Sequence, residues 1–341
     1  PRPTRIPSST RPAASRPAAS HARARIGSTP GRLCETAGVQ EIADGIEMMD
    51  TRLGGLAGVM SAYLVRGPSP ALVETGAETS VDTVREALAG AGIGPGDLAW
   101  IVLTHVHLDH CGGAGALAAA FPEATVVVHR RGARHLAEPD RLVAGTAAVH
   151  GPRMALYGGL DPTPPERIVA AEDGHRVPVG PGRDLVMIET LGHARHHMSV
   201  LDEATGTMLA GDAVGARMGG GGLYPVLPPP DVDIELGVAS LDRLARLAPR
   251  VLSLAHFGPV PDPEAEIARA RELQLRAAEA AREGWRGGGD EAAVGAALAR
   301  RLPPEELLGT PEALALWERL GWVENNVPGL AAWAARDGAA G

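Results

Sequence analysis

The chain has 341 residues, 45% of them hydrophobic, and a net charge of -9, which is enough apolar material to bury at least one full core. All 32 basic residues are Arg, so chemistry on a lysine amine, such as Schiff-base formation or the usual P-loop phosphate contact, is excluded. Gly, Pro, Arg and acidic residues interrupt every apolar run before the roughly 18 residues of a membrane-spanning helix, and residues 37–341 carry 25 Arg against 40 acids, an acidic body that disfavours nucleic acid and anionic membrane as partners.

Residues 1–37 are dominated by Pro, Ala, Ser and Arg with almost no periodic apolar residue, so a disordered tail is expected there. Its Arg-rich, acid-poor composition also fits an organelle transit peptide, a flexible extension being the plainer reading. Cys34 and Cys111 are the two cysteines, too few for a disulfide framework and compatible with a reducing cytosol, so a cytoplasmic protein is expected.

From residue 38 short β-like runs alternate with amphipathic segments. Residues 62–65 and 71–73 flank Gly67-Pro68 and predict a hairpin. Val81, Val84 and Leu88 fall at helical spacing, and residues 100–103 form an apolar run of buried-strand type. Further strands are predicted at 125–128, 185–188, 208–210 and 251–254, with a helix through Ile234, Val238, Leu241, Leu244 and Leu247. The expected body is a mixed α/β domain over 38–262. Residues 263–341 are Ala, Leu, Glu and Arg in helical pattern, a helical C-terminal extension in which Trp285, Trp317, Trp322 and Trp333 are read as packing residues.

The chemistry concentrates directly after the run at 100–103, in Thr104-His105-Val106-His107-Leu108-Asp109-His110-Cys111. Extended backbone puts His105 and His107 on one side, and Asp109 and His110 emerge from the next turn at another angle, a geometry able to serve two adjacent metals. Nitrogen and oxygen donors suit zinc, with manganese or iron also permitted. Further candidate ligands each follow a predicted strand: His193 after 185–188, Asp212 after 208–210 and His256 after 251–254. Two divalent ions about 3.5–4 Å apart can bridge a water and lower its pKa toward about 7.

These residues resemble the metallo-β-lactamase superfamily, whose pattern is an H-x-H-x-D-H loop followed by a His, a Gly-Asp and a final His. The resemblance spans about residues 38–262 and implies a four-layer αββα sandwich with two metals at one edge of the paired sheets. It assigns His105, His107 and His193 to the first metal, Asp109, His110 and His256 to the second, and Asp212 to a bridge. His197 matches a supporting histidine of the glyoxalase II branch, and the lactonase branch is the other relative considered. The chain departs from the superfamily at Leu191, where Pro is frequent, at Glu74, where Asp is usual, and at Gly215, where lactonases often place Tyr.

The function implied is a dinuclear metal hydrolase in which a metal-bridged hydroxide, oriented by Asp109 as the catalytic carboxylate, attacks a thioester or lactone of a small molecule. The alternative is a mononuclear iron oxidoreductase of the persulfide dioxygenase type. A homodimer is one arrangement the helical extension would serve, capping the active-site mouth being the other. Arg217 and Tyr224, in the Gly- and Pro-rich segment after Asp212, are candidate substrate contacts. Cys111, His129, His135, His150, His175 and His196 are read as packing, structural or solvent-facing residues.

Overall fold

A computed structural model describes residues 39–339; the tail expected over residues 1–37 lies outside the described residues. Two sheets form the frame. The first contains β1 (Val39–Ala43), β2 (Ile46–Asp50), β3 (Ser61–Val65), β4 (Ala71–Val73), β5 (Trp100–Val102), β6 (Thr125–His129) and β7 (Ile168–Ala171), arranged in that order. Pairing is antiparallel from β1 to β4 and parallel from β4 to β7. The second contains β8 (Arg176–Gly180), β9 (Arg183–Glu189), β10 (Met198–Asp202), β11 (Thr207–Leu209), β12 (Val251–Leu254) and β13 (Gly258–Pro259), in reverse order across the sheet. There only β11 and β12 run parallel.

Alternation along the strands explains the layering. In β3, Tyr63 and Val65 join a buried cluster with Val73, Val127, Val177, Leu185, Met187, Val200 and Leu209, side chains drawn from both sheets and therefore the filling between them. Ala62 and Leu64 of the same strand, with Ile101 of β5 and Val126 and Val128 of β6, belong instead to the outer cluster that includes Val84, Leu88 and Leu117. Strands buried on both faces read as continuous apolar runs, which is why Trp100–Val102 and Thr125–His129 carry no polar alternation. The result is the expected sandwich with helices outside both sheets.

Local chemistry sets the helix boundaries. Helix Ile234–Leu247 begins where the Asp233 side chain accepts from the Leu236 N–H at 2.9 Å. Helix Pro263–Gly288 begins the same way at Asp262, with Pro263 at its first turn. Four more helices follow, Glu291–Arg301, Pro304–Leu308, Pro311–Leu320 and Trp322–Ala339. They do not stand apart from the sandwich: Trp317, Leu320, Leu330 and Trp333 are buried in the same cluster as Leu241, Leu252 and Leu254. Among the described residues no helix is long and apolar enough to cross a membrane.

The hairpin expected across Gly67-Pro68 is β3–β4, with Tyr63 opposite Val73. The expected strands at 100–103, 125–128, 185–188, 208–210 and 251–254 correspond to β5, β6, β9, β11 and β12. The sequence reading did not single out β1, β2, β7, β8, β10 and β13, several of which carry charged or proline residues that mask a strand pattern, as in Arg176–Gly180.

Candidate metal centre

Segments from both sheets meet at one edge of the sandwich. His105 and His107 lie in the loop after β5, and Asp109 and His110 in the short helix Leu108–Cys111. His193 follows β9, Asp212 follows β11 and His256 follows β12. The structure brings all seven of these sequence-predicted residues together: the ligand atoms of His105, His107 and His193 lie within 4.8 Å of one another, as do those of Asp109, His110 and His256, and those of His105, His110 and Asp212. His105 Nε2 is 3.0 Å from His107 Nδ1, and His193 Nε2 is 2.9 Å from the same atom. His256 Nε2 lies 3.2 Å from His110 Nε2. Asp212 Oδ2 stands 3.5 Å from both His193 Nε2 and His110 Nε2, one histidine of each cluster.

Four of the five imidazoles, those of His105, His110, His193 and His256, are oriented from behind. His193 Nδ1–H donates to the Val226 carbonyl at 2.8 Å and His256 Nδ1–H to the Val59 carbonyl at 2.7 Å. His110 Nδ1 pairs with Glu74 Oε1 at 3.1 Å, and His105 Nδ1 with Thr104 Oγ1 at 3.0 Å. Thr104 in turn donates to Glu74 Oε1. Glu74 sits at φ 67°, a conformation L-residues rarely adopt and one that persists only where the surroundings over-determine it; here its carboxylate ties two neighbouring segments of the centre. With the outer nitrogens of His105, His110, His193 and His256 engaged, their Nε2 atoms face the centre, the orientation required of a metal-binding histidine.

His197 is placed differently. Its Nε2 accepts from the Asp212 N–H at 2.9 Å, and its Nδ1–H reaches Thr190 Oγ1 at 2.9 Å. It supports the Asp212 backbone and has no nitrogen left for a ligand role. Gly211, at φ 55°, permits this: a Cβ there would stand 2.5 Å from His197 Nε2.

The donor set fits divalent cations. Ligands about 2.0–2.1 Å from a shared ion stand about 2.9–3.4 Å apart, the range of the inward nitrogens. Three nitrogens converging on one point cannot all satisfy one another with hydrogen bonds, and Asp212 Oδ1 is buried without a hydrogen-bond partner among the described residues. The electrostatics agree. Burial, with neighbouring imidazoles adding to it, pushes His105 and His107 well below the ordinary histidine range. Burial alone would raise Asp109 and Asp212, yet the adjacent His110 and His256 hold both carboxyls below their usual range. Burial likewise opposes charge on His110, but Asp212, Glu74 and Asp109 drive its value well up. Without an ion, burial therefore keeps His105 and His107 neutral, while Asp109 and Asp212 are ionised beside a protonated His110.

A cavity of about 460 Å³ opens over this centre. His107, Asp109, His193 and Asp212 form part of its floor, and its walls include Leu142, Val149, Val226, Pro228 and Trp322. His135, His150 and His196 also line it; a polar lining role for them has no local signal in the sequence. His196 is held down to about 3, by burial first and by His193 next. His129 is structural, pairing with Glu189 at 3.0 Å, and Cys111 is a buried free thiol in the core.

Two expected substrate contacts are corrected. Tyr224 is buried and donates to the Leu302 carbonyl at 3.1 Å, and Arg217 pairs with Glu266 at 3.6 Å. Neither lines the cavity over the metal cluster, because the stretch around Gly222 and Tyr224 is covered by the C-terminal helices, whereas Val226 and Pro228 further along do reach it. Trp322 in turn is more than a packing residue: its ring meets His256 edge to face at 4.6 Å, and its Nε1–H donates to Tyr157 Oη at 2.9 Å.

Comparison with known proteins agrees with this geometry. The family model of the metallo-beta-lactamase superfamily matches residues 56–256. The metallo-beta-lactamase fold-containing protein ST1585 of Sulfurisphaera tokodaii is 34% identical over 169 residues, 48% of this chain and 62% of its own length. The probable metallo-hydrolase YqjP of Bacillus subtilis is 24% identical over 241 residues, 64% of this chain and 73% of that one. A beta-lactamase domain protein from Burkholderia ambifaria has the same fold, with TM-score 0.62 at 18% identity and 89% of each chain covered. The match of the family model contains six of the seven strand-end residues in its interior and ends on the seventh, His256, so the chain belongs to the metallo-beta-lactamase superfamily.

Proposed function

We propose that the protein is a dinuclear metal-dependent hydrolase that cleaves an ester-like bond, a thioester or lactone, in a small and largely apolar molecule. The observation that carries this reading is the pair of clusters, one of histidines and one of histidines with Asp109, joined through Asp212 at the floor of an open cavity. His105, His107 and His193 would hold one ion, Asp109, His110 and His256 the other, and Asp212 would touch both. Divalent ions in such a pair supply Lewis acidity and lower the pKa of water toward about 7. The residues of the chain do the rest. Asp109 is ionised and faces the cavity, so it can accept a hydrogen bond from the attacking water and orient it. Leu142, Val149, Val226 and Trp322 give the cavity apolar walls that favour an apolar substituent.

Elemental mass spectrometry on protein purified without added metal, with a thioester, lactone and ester screen on the same sample, tests the reading. About two zinc or manganese ions per chain with hydrolytic turnover is the expected result. One iron per chain with oxygen uptake and no hydrolysis would replace it with the dioxygenase reading.

A further inference from the structure

Tyr157 stands at the end of the 3-10 turn Gly151–Leu156 and is 1% exposed. Its oxygen accepts from Trp322 Nε1–H at 2.9 Å. An indole N–H can only donate, so this bond occupies a lone pair and leaves the phenol proton directed elsewhere. That proton has no acceptor among the described residues, and Tyr157 lines the cavity together with Asp109, Asp212 and Trp322. The indole that orients the phenol also packs on His256, at 4.6 Å between ring centroids, so the phenol flanks the Asp109–His110–His256 side of the centre. The His150 ring lies tilted against the phenol, 4.4 Å between centroids, and confines it.

We propose that Tyr157 is a catalytic hydrogen-bond donor: its phenol O–H, set by Trp322, holds the substrate oxygen on which negative charge gathers when the carbonyl carbon is attacked. The proposal rests on the hydrolase reading above for its substrate and adds a residue to it. No proton is transferred; the phenol stays protonated throughout, and the hydrogen bond strengthens as the carbonyl oxygen becomes an alkoxide. Burial, and after it the charge of Asp109, pushes the phenol well above its ordinary value, which suits a donor and is unsuited to a nucleophile or base. Trp322 is a positioning residue in this scheme, and it brings the C-terminal helices into the chemistry: they supply the indole N–H that aims the phenol.

Tyr157→Phe and Trp322→Phe, singly and together, test the proposal on metal-loaded protein. The readouts are kcat and KM on the best substrate of the screen, metal content, and calorimetric affinity for phenylphosphonate, whose tetrahedral anionic head carries oxygens like the one proposed. Tyr157→Phe should lower kcat about 100-fold, the scale for loss of one such donor, leave KM within about threefold and metal content unchanged, and weaken phenylphosphonate binding about tenfold. Trp322→Phe keeps a ring against His256 without the N–H; it should lower kcat about five- to tenfold, and the double variant should be no slower than Tyr157→Phe alone. A Tyr157→Phe protein with wild-type phenylphosphonate affinity, or a wild-type protein that does not bind phenylphosphonate, overturns the proposal. So does a lowered melting temperature with kcat and affinity intact, which would leave the Tyr157–Trp322 bond a structural tie. If the wild type binds phenylphosphonate, Tyr157→Phe loses it, and no ester, thioester or lactone is turned over, the donor stands and the hydrolase reading alone fails.

Discussion

Replacing Gly192 with Ala should unfold the chain at a lower temperature and spoil the metal centre together. Gly192 sits at φ 129°, and a Cβ there would stand 2.3 Å from both the Cα and the N of Gly237 and 3.0 Å from the Asp233 carbonyl oxygen. Carbon contacts settle at about 3.5–4.0 Å, so the loop and helix Ile234–Leu247 must separate by about 1 Å or more. Neither side is free to retreat. The Asp233 N–H donates to the Gly192 carbonyl at 2.9 Å, and Ser240 Oγ donates to the Leu191 carbonyl at 2.7 Å. Behind the helix, Gln274 Oε1 lies 2.4 Å from where a Gly237 Cβ would sit. Overpacking of this kind costs about 1–3 kcal/mol, and a left-handed backbone about 1–2 kcal/mol more for a residue with a Cβ, about 2–5 kcal/mol together. At about 2–4 °C per kcal/mol for a large domain, melting should fall by about 4–20 °C. His193 is the next residue, with its Nε2 2.9 Å from His107 Nδ1, so the same displacement should weaken metal retention. Gly174→Ala is the control: its φ is 79° with nothing within 4 Å of a Cβ, and it should show the backbone cost alone, about 1–2 kcal/mol. Thermal melts followed by circular dichroism, with metal content on each protein, give the answer. A Gly192→Ala protein melting within about 1 °C of wild type with its metals retained would refute the packing argument.

Asp212→Ala removes the carboxylate placed between the clusters, and metal content is expected to fall from about two ions to one or fewer per chain by elemental analysis; two tightly held ions in that variant would contradict a bridging role. Arg167→Met should cost about 2 kcal/mol in urea denaturation, because the guanidinium donates to the carbonyls of Ala118, Phe121 and Ala124 where helix Ala114–Ala120 ends; an unchanged urea midpoint would show those carbonyls satisfied without it. The metal-free protein should lose stability as pH falls from 7 to 5. His105, His107, His193 and His197 are lowered by burial, and His196 to about 3, so the unfolded chain takes up protons near 6.5 that the folded chain refuses, and stability present above that value is lost below it. His110, raised by its carboxylate neighbours, acts in the opposite sense, and a melting temperature that is flat or rises toward pH 5 would mean that His110 outweighs the five.

What the sequence carries is local. His105, His107, Asp109 and His110 fall within six positions after an apolar run, and Gly192-His193, Gly211-Asp212 and His256 each follow a run of strand-forming residues, so residue type, spacing and strand context name seven candidate ligands and a mixed α/β domain, while the layered sandwich is what the resemblance to the superfamily implies. Gly211 and Gly192 had a visible residue type but no visible reason, which came only from their closeness to His197 and to helix Ile234–Leu247. The bond between Trp322 and Tyr157 joins residues 165 positions apart, and no local pattern encodes a contact at that separation. The same holds for the walls of the cavity, drawn from Leu142, Val226 and Trp322, and for the burial of Tyr224, whose exposure as a loop residue was the natural expectation until the C-terminal helices covered it. Backbone preference and short-range hydrogen bonding act between neighbours in the chain and can be read from it. Which distant side chain closes a site depends on how whole helices pack, and only the tertiary structure decides that.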